Sequence, residues 1–290
     1  MNKQLFLIYG LFLLLPSISA QELIYKTFKD TRIINTHSIE TLAARKLDFR
    51  VVHRFGDMLG SNGGWSTFFG FENAADISIG FEYGLNDRLM LGISRAKGAG
   101  DRKQLVNALA KYRLLRQMTE GSPFSLTLIG GSSLSTMPKV EGSSGINAFP
   151  RFSHRFAFLG QGLLARKFSE RFTLQASLAF IHRNLVRDEE DNDTFAAGLA
   201  GRWQLNKVTA LLFDFQLPLN GYASPFAQSN MQHYPSLGFG LEFDTGGHVF
   251  QINFTNSRGI AETDFLPGTI SDWRKGQFRL GFTISRLFNL

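Results

Sequence analysis

The sequence predicts an all-β protein, a transmembrane antiparallel up-and-down β-barrel of about twelve strands preceded by a signal peptide. Three observations carry the prediction. Apolar residues alternate with small polar ones at period two from residue 45 onward, the mark of a strand with two unlike faces. The links between alternating runs are by turns short and long, and the last run reaches the C-terminal residue, as in barrels of the bacterial outer membrane.

The N-terminus reads as an address rather than as structure. Lys3 supplies the positive charge, Leu5 to Leu15 is apolar apart from Tyr9 and Gly10, and Pro16 to Ala20 resembles a cleavage region before Gln21. Ile18 stands where a smaller residue is commoner, so cleavage after Ser19 is the alternative. Residues 1–20 are therefore expected to be a leader for the general secretory route. Residues 21–44 lack periodicity and form either a plug in the lumen or a periplasmic segment; 45–290 form the barrel.

The strands follow in order. Leu47, Phe49, Val51, His53 and Phe55 share one face of the first, and Ile77, Ile79, Phe81 and Tyr83 one face of the second. The third has Leu89, Leu91 and Ile93; the fifth Phe124, Leu126 and Leu128; the seventh Phe172, Leu174, Leu178 and Phe180. Leu211, Phe213 and Phe215 mark the ninth, Leu237, Phe239 and Leu241 the tenth, and Phe250, Ile252 and Phe254 the eleventh. Less regular runs at 104–115, 155–166 and 194–205 supply the fourth, sixth and eighth, and 277–290 is the last. The hairpin at 104–131 is the weakest, so the count carries a margin of two strands.

Alternation alone also fits a soluble barrel or sandwich. The second face decides, because it carries Gly, Ser, Thr, Asn and Gln, as at Thr173, Gln175 and Ser177 or Gln251, Asn253 and Thr255. A water-facing strand would carry more Lys and Glu, whereas small polar groups suit a confined, hydrated lumen with the phenylalanines turned to lipid. Short links fall at 85–87, 116–122, 168–170, 206–207 and 245–247; longer ones at 56–74, 97–103, 133–153, 185–193, 218–235 and 258–276. An even strand count then puts both chain ends on the short-turn side.

In the terminal strand Phe278, Leu280, Phe282, Ile284, Phe288 and Leu290 share a face, interrupted by Arg286. This resembles the assembly signal of outer-membrane barrels, which implies the barrel assembly machinery as a partner beside outer-membrane lipid. The final residue is Leu rather than the commoner Phe.

Composition narrows the function classes. No stretch after the leader approaches the ~20 apolar residues of a membrane-crossing helix. The chain has no Cys, 29 Phe and 29 Gly, and a formal charge of +7. Its basic residues are scattered, with no basic run among aromatics, so no nucleic acid is expected as partner.

Chemistry is sparse. The six histidines, His37, His53, His154, His182, His233 and His248, form no zinc spacing. His53 and His182 sit on the lipid face near strand ends, a position that suits the interface. There is no His-x-Ser pair for a lipid-facing hydrolase. The acidic run Asp188 to Asp193 lacks the turn glycine of an EF-hand and reads as a solvated loop. Gly63, Gly64, Trp65 and Phe68 to Phe71 make the first loop flexible and sticky. No catalytic, cofactor or metal residues are assigned. Asp48, Arg50, Arg54, Asp76, Glu82, Asp214, Glu242 and Arg279 are candidate lumen charges of both signs, expected to pair across the wall or, in rings, to select ions.

The runs HRFG at 53–56, FFGFENAADISIGFEYGLNDRLMLGISR at 68–95, TGGHVFQINFTNS at 245–257 and FRLGFTISRLF at 278–288 resemble a family of uncharacterised bacterial outer-membrane β-barrel proteins, a domain of unknown function. The resemblance implies the barrel and its location in the outer membrane of a Gram-negative bacterium, and brings no substrate or active-site residue. The leading functional expectation is a non-enzymatic, porin-like barrel that passes or binds a small solute. The alternatives are a structural or assembly partner of another envelope protein, docked through long loops or residues 21–44, and a lipid-modifying enzyme.

Overall fold

The computed structural model describes residues 26–228 and 231–290, so the expected leader at 1–20 lies outside the described residues. Period-two alternation becomes twelve strands. They are β1 (Lys46–Phe55), β2 (Ala74–Gly84), β3 (Leu89–Ala96), β4 (Leu105–Leu115), β5 (Ser125–Ser135), β6 (Phe156–Lys167), β7 (Phe172–Arg183), β8 (Asp193–Gln204), β9 (Thr209–Pro218), β10 (Ser236–Asp244), β11 (His248–Thr255) and β12 (Arg279–Asn289). Each pairs antiparallel with its sequence neighbours, and β1 closes on β12 from Lys46↔Asn289 to Arg54↔Gly281. Closure removes every free edge, which a bilayer demands because an unpaired backbone group in hydrocarbon costs several kcal/mol.

The weak hairpin is a full one, running from Leu105↔Ser135 to Leu115↔Leu126 with a register shift between Arg113 and Leu115. Three short turns share one local device. Asn86 Oδ1 accepts from the amides of Arg88 and Leu89, Asn206 Oδ1 from those of Val208 and Thr209, and Ser169 Oγ from those of Arg171 and Phe172. Such side-chain turns close a hairpin without borrowing ladder bonds.

Outward residues are large and apolar: Leu178 is 67% exposed, and the rings of Phe49 and Phe81 and of Phe180 and Phe195 pair across strands at 5.1 and 4.9 Å. Buried residues on the wall include Asp, Arg, Gln and Thr. That inverts the soluble pattern and fits lipid outside.

The inner face is not uniform. Around β5 to β9 it carries Ile129, Leu159, Leu163, Ile181 and Leu212 with several alanines, all buried. They pack on Phe28, Ile33, Ile34 and Ile39 of the N-terminal segment and on Phe265 and Leu266 of a short helix, α1 (Glu262–Gly268), which the β11–β12 loop carries into the barrel. The expected hydrated lumen is therefore corrected over this half of the wall, where apolar side chains meet protein and not water.

Candidate functional site: a filled lumen beneath a vestibule

Residues 26–44 enter from the short-turn end. Ala44 donates its amide to Asp87 Oδ1 at 3.1 Å, Arg45 to the Gly84 carbonyl at 2.9 Å, and Lys29 pairs with Asp244. The segment folds into a tight hairpin: the amide of Ile33 bonds the carbonyl of Thr36 and that of Ser38 the carbonyl of Thr31, both at 2.9 Å. Its tip, residues 33–36, stands deep in the barrel.

A hairpin without strand neighbours leaves backbone groups that must find partners, and the wall supplies them. Lys111, wholly buried, donates Nζ to the carbonyls of Thr31, Ser38 and Glu40 at 3.0, 3.1 and 3.0 Å. Asp214 Oδ2 accepts from the amides of Asn35 and Thr36 at 2.8 and 2.9 Å. Thr127 donates to the Ile39 carbonyl, Thr173 to that of Thr27, Gln175 to that of His37 and Gln251 to that of Arg32. Several polar positions expected to face water thus serve the hairpin's backbone.

All eight charges assigned from sequence are buried, and the structure sorts them into three groups. Arg50 grips Asp30 of the hairpin with both terminal guanidinium nitrogens at 2.8 and 2.5 Å and bonds Asp48 at 2.7 Å, while Glu82 accepts from Thr31 Oγ1 at 2.5 Å. With Asp214 these hold the hairpin. Arg279 holds the β11–β12 loop through the Asn256 carbonyl at 3.1 Å and Ser271 Oγ at 3.0 Å, and Asp76 accepts the amides of Gly98 and Ile260 at 2.8 and 2.9 Å. Arg54 bridges both, donating to Asn35 Oδ1 at 2.6 Å and to the Gly259 carbonyl. Glu242 pairs within the wall, with Arg202 at 2.7 Å.

Hairpin and loop meet inside the barrel. Arg32 reaches Glu262 Oε1 and the Ile260 carbonyl, each at 3.2 Å, and His37 Nε2 lies 3.7 Å from the same carboxylate. Sequence reasoning passed over Asp30, Arg32, Lys111, Arg113 and Glu262. Lys111 and Arg113 had a signal, since they share the parity of Leu105; Arg32 and Glu262 lie in segments with no periodicity to read.

Beside this junction, along β2 to β5, small inner residues cluster, Ser78, Gly92, Ser94, Asn107, Gly131 and Ser133, next to Leu109. Two cavities of about 60 and 50 Å³ run here between wall and hairpin. Their lining mixes these small polar groups with apolar side chains such as Leu109 and Leu159.

Above the junction, at the long-loop end, a vestibule of about 600 Å³ opens between the loops around residues 99–103, 183–190 and 258–270 and beside Tyr222, Met231 and His233. Asp264 of α1 faces it and accepts the amides of Ala99 and Gly100 at 2.9 and 3.0 Å. Burial pushes its carboxyl up to about 6, against the pull of those two amides. Arg183 pairs with Glu190 at 2.6 Å and Arg187 with Asp101 at 2.7 Å. The described residues contain no cluster of His, Asp or Glu able to hold a metal ion.

A closed antiparallel barrel with lipid-facing aromatics, polar inner positions and loops at one end defines an outer-membrane β-barrel protein. More particularly, the chain belongs to the membrane-bound beta barrel domain family DUF5777, whose sequence profile matches residues 28–288. Among solved structures it is similar to a KdgM porin in complex with disordered oligogalacturonate, at 7% identity and a TM-score of 0.50 over 84% of this chain and 99% of that one. It is also similar to the COG4313 outer membrane channel from Pseudomonas putida F1, at 16% identity and a TM-score of 0.50 over 86% of this chain and 98% of that one. The comparison with curated proteins returned no match.

Proposed function

We propose that this protein is a non-enzymatic outer-membrane channel for small solutes whose lumen is held shut from within by its N-terminal hairpin and by α1. The observation that carries the reading is the junction of Arg32 with Glu262 beside a crevice lined by glycine, serine and other small residues. Apolar packing seals one side of the lumen, and the side lined by small residues is closed by a few charged contacts that can break without unfolding the wall. Barrels of similar fold that are a porin and an outer-membrane channel support the reading. In this reading residues 26–44 of the 21–44 segment are the plug, β12 carries the signal for the assembly machinery, and the leader directs export by the general secretory route. Docking of an envelope partner through residues 26–44 is disfavoured because most of that segment is buried inside the barrel.

The test is single-channel recording in planar bilayers with the full mature chain and with residues 26–44 deleted. The full chain should be closed most of the time, and the deletion should conduct steadily. A full chain that conducts like an open pore, or a folded deletion variant that stays silent, overturns the proposal.

A further inference from the structure

We infer that the vestibule is a binding site for small solutes bearing a carboxylate or phosphate group. The inference rests on the reading of the barrel as a solute channel and names the substrate class it admits first.

Five cations line the vestibule, Arg102, Lys103, Arg183, Arg187 and Arg258, against three carboxylates, Asp101, Glu190 and Asp264. Every carboxylate is committed: Asp101 to Arg187, Glu190 to Arg183, Asp264 to two backbone amides. A metal ion or an amine would have to compete with these partners for the carboxylates. The cations are in surplus. Arg102, Lys103 and Arg258 make no ion pair among the described residues.

Arg102 is the most informative of these. Its side chain is buried and bonds only carbonyl oxygens, those of Ser133 at 3.2 Å and of Arg155, and its Nε has no partner. Asp264 acts on it only from a distance, and a guanidinium drawn out of water with no ion pair in contact is unfavourable by several kcal/mol until an anion reaches it. Lys103 and Arg258 are exposed and free to turn toward a ligand. Tyr222 and His233, ring centroids 4.7 Å apart, add an aromatic flank. A volume of about 600 Å³ suits a small molecule, within the ~300–1,000 Å³ usual for such sites. The position is also apt for a first stop: the Asp264 that ties α1 to residues 99 and 100 lies two residues from Glu262, which closes the junction with Arg32.

Calorimetric titration of the full mature chain in detergent tests the site with three probes matched in size: glucuronate, glucose 6-phosphate and glucose. The two anions should bind and glucose should bind at least about tenfold more weakly, since a charge-assisted contact adds roughly that much over a neutral one. The double substitution Lys103→Gln and Arg258→Gln, at exposed positions, should weaken anion binding about tenfold while the barrel keeps its heat-modifiable migration on gels. Equal binding of glucose and glucuronate, or no effect of the double substitution, overturns the inference. Titration with purified lipopolysaccharide separates the two sources of phosphate: tighter binding than the free anions assigns the site to headgroups, weaker binding to soluble solutes, and no binding of any anion removes the site altogether. Because binding is read without current, its failure is distinct from failure of the channel reading.

Discussion

Removing the Glu262 carboxylate should open the barrel. In the closed state this side chain is buried, accepts a charge-assisted bond from Arg32 at 3.2 Å and lies 3.7 Å from His37. Hydrogen bonds to charged groups contribute about 1.5–3 kcal/mol each. Glu262→Ala deletes one such bond, while Arg32 keeps the Asn35 carbonyl at 2.7 Å and the Ile260 carbonyl at 3.2 Å, so a loss of about 2 kcal/mol is reasonable. At 1.4 kcal/mol per decade that is roughly a thirtyfold rise in the ratio of open to closed states. Single-channel recording reads this ratio directly, with unchanged unit conductance because the wall is untouched. Arg32→Ala should act in the same direction. The double variant should fall short of the sum, since two residues sharing one bond couple by about 0.5–3 kcal/mol. An open probability within twofold of the unaltered protein, in a barrel that is demonstrably folded, would falsify the junction as the closing contact.

Three other outcomes follow from the same contacts. Lys111→Met strips three carbonyls of a buried donor and should raise amide exchange across residues 31–40 by at least about a hundredfold while the strand amides stay protected; unchanged exchange would show that the lysine does not hold the hairpin. The carboxyl of Asp264 titrates at about 6 with α1 docked, above its free value near 4, so docking is strongest below about pH 4 and weakens as pH rises through about 6. Channel opening should therefore increase severalfold between pH 5 and pH 8 and lose that dependence in Asp264→Asn; a flat profile in the unaltered protein contradicts the placement. Leu178 faces lipid in mid-strand, so Leu178→Arg should cost about 2–4 kcal/mol in urea unfolding from vesicles, and a cost near zero would mean that this face does not meet hydrocarbon.

Most of the barrel was legible because a strand with lipid on one side writes its two faces into alternate residues. The three runs that read poorly did so for a physical reason. In β6 and β8 most inner positions are apolar, Ala157, Leu159, Leu163, Ala196 and Ala200 beside Gln161 and Thr194, because they pack on hairpin and helix, so the two faces look more alike. In β4 the inner face mixes Leu105 with Lys111 and Arg113. Loss of alternation was itself the trace of the plug.

Strand number to within two, the lipid-facing residues and the inward orientation of the eight charges were open to inference from the sequence, because each follows from local period and parity. What those charges hold was decided only by the tertiary structure. Arg50 meets Asp30, Asp214 meets the amides of Asn35 and Thr36, and Arg32 meets Glu262 across distances of 20, 179, 178 and 230 residues along the chain. No local pattern encodes such partners, since residues 26–44 and 256–278 repeat nothing and acquire their shape from the wall that surrounds them.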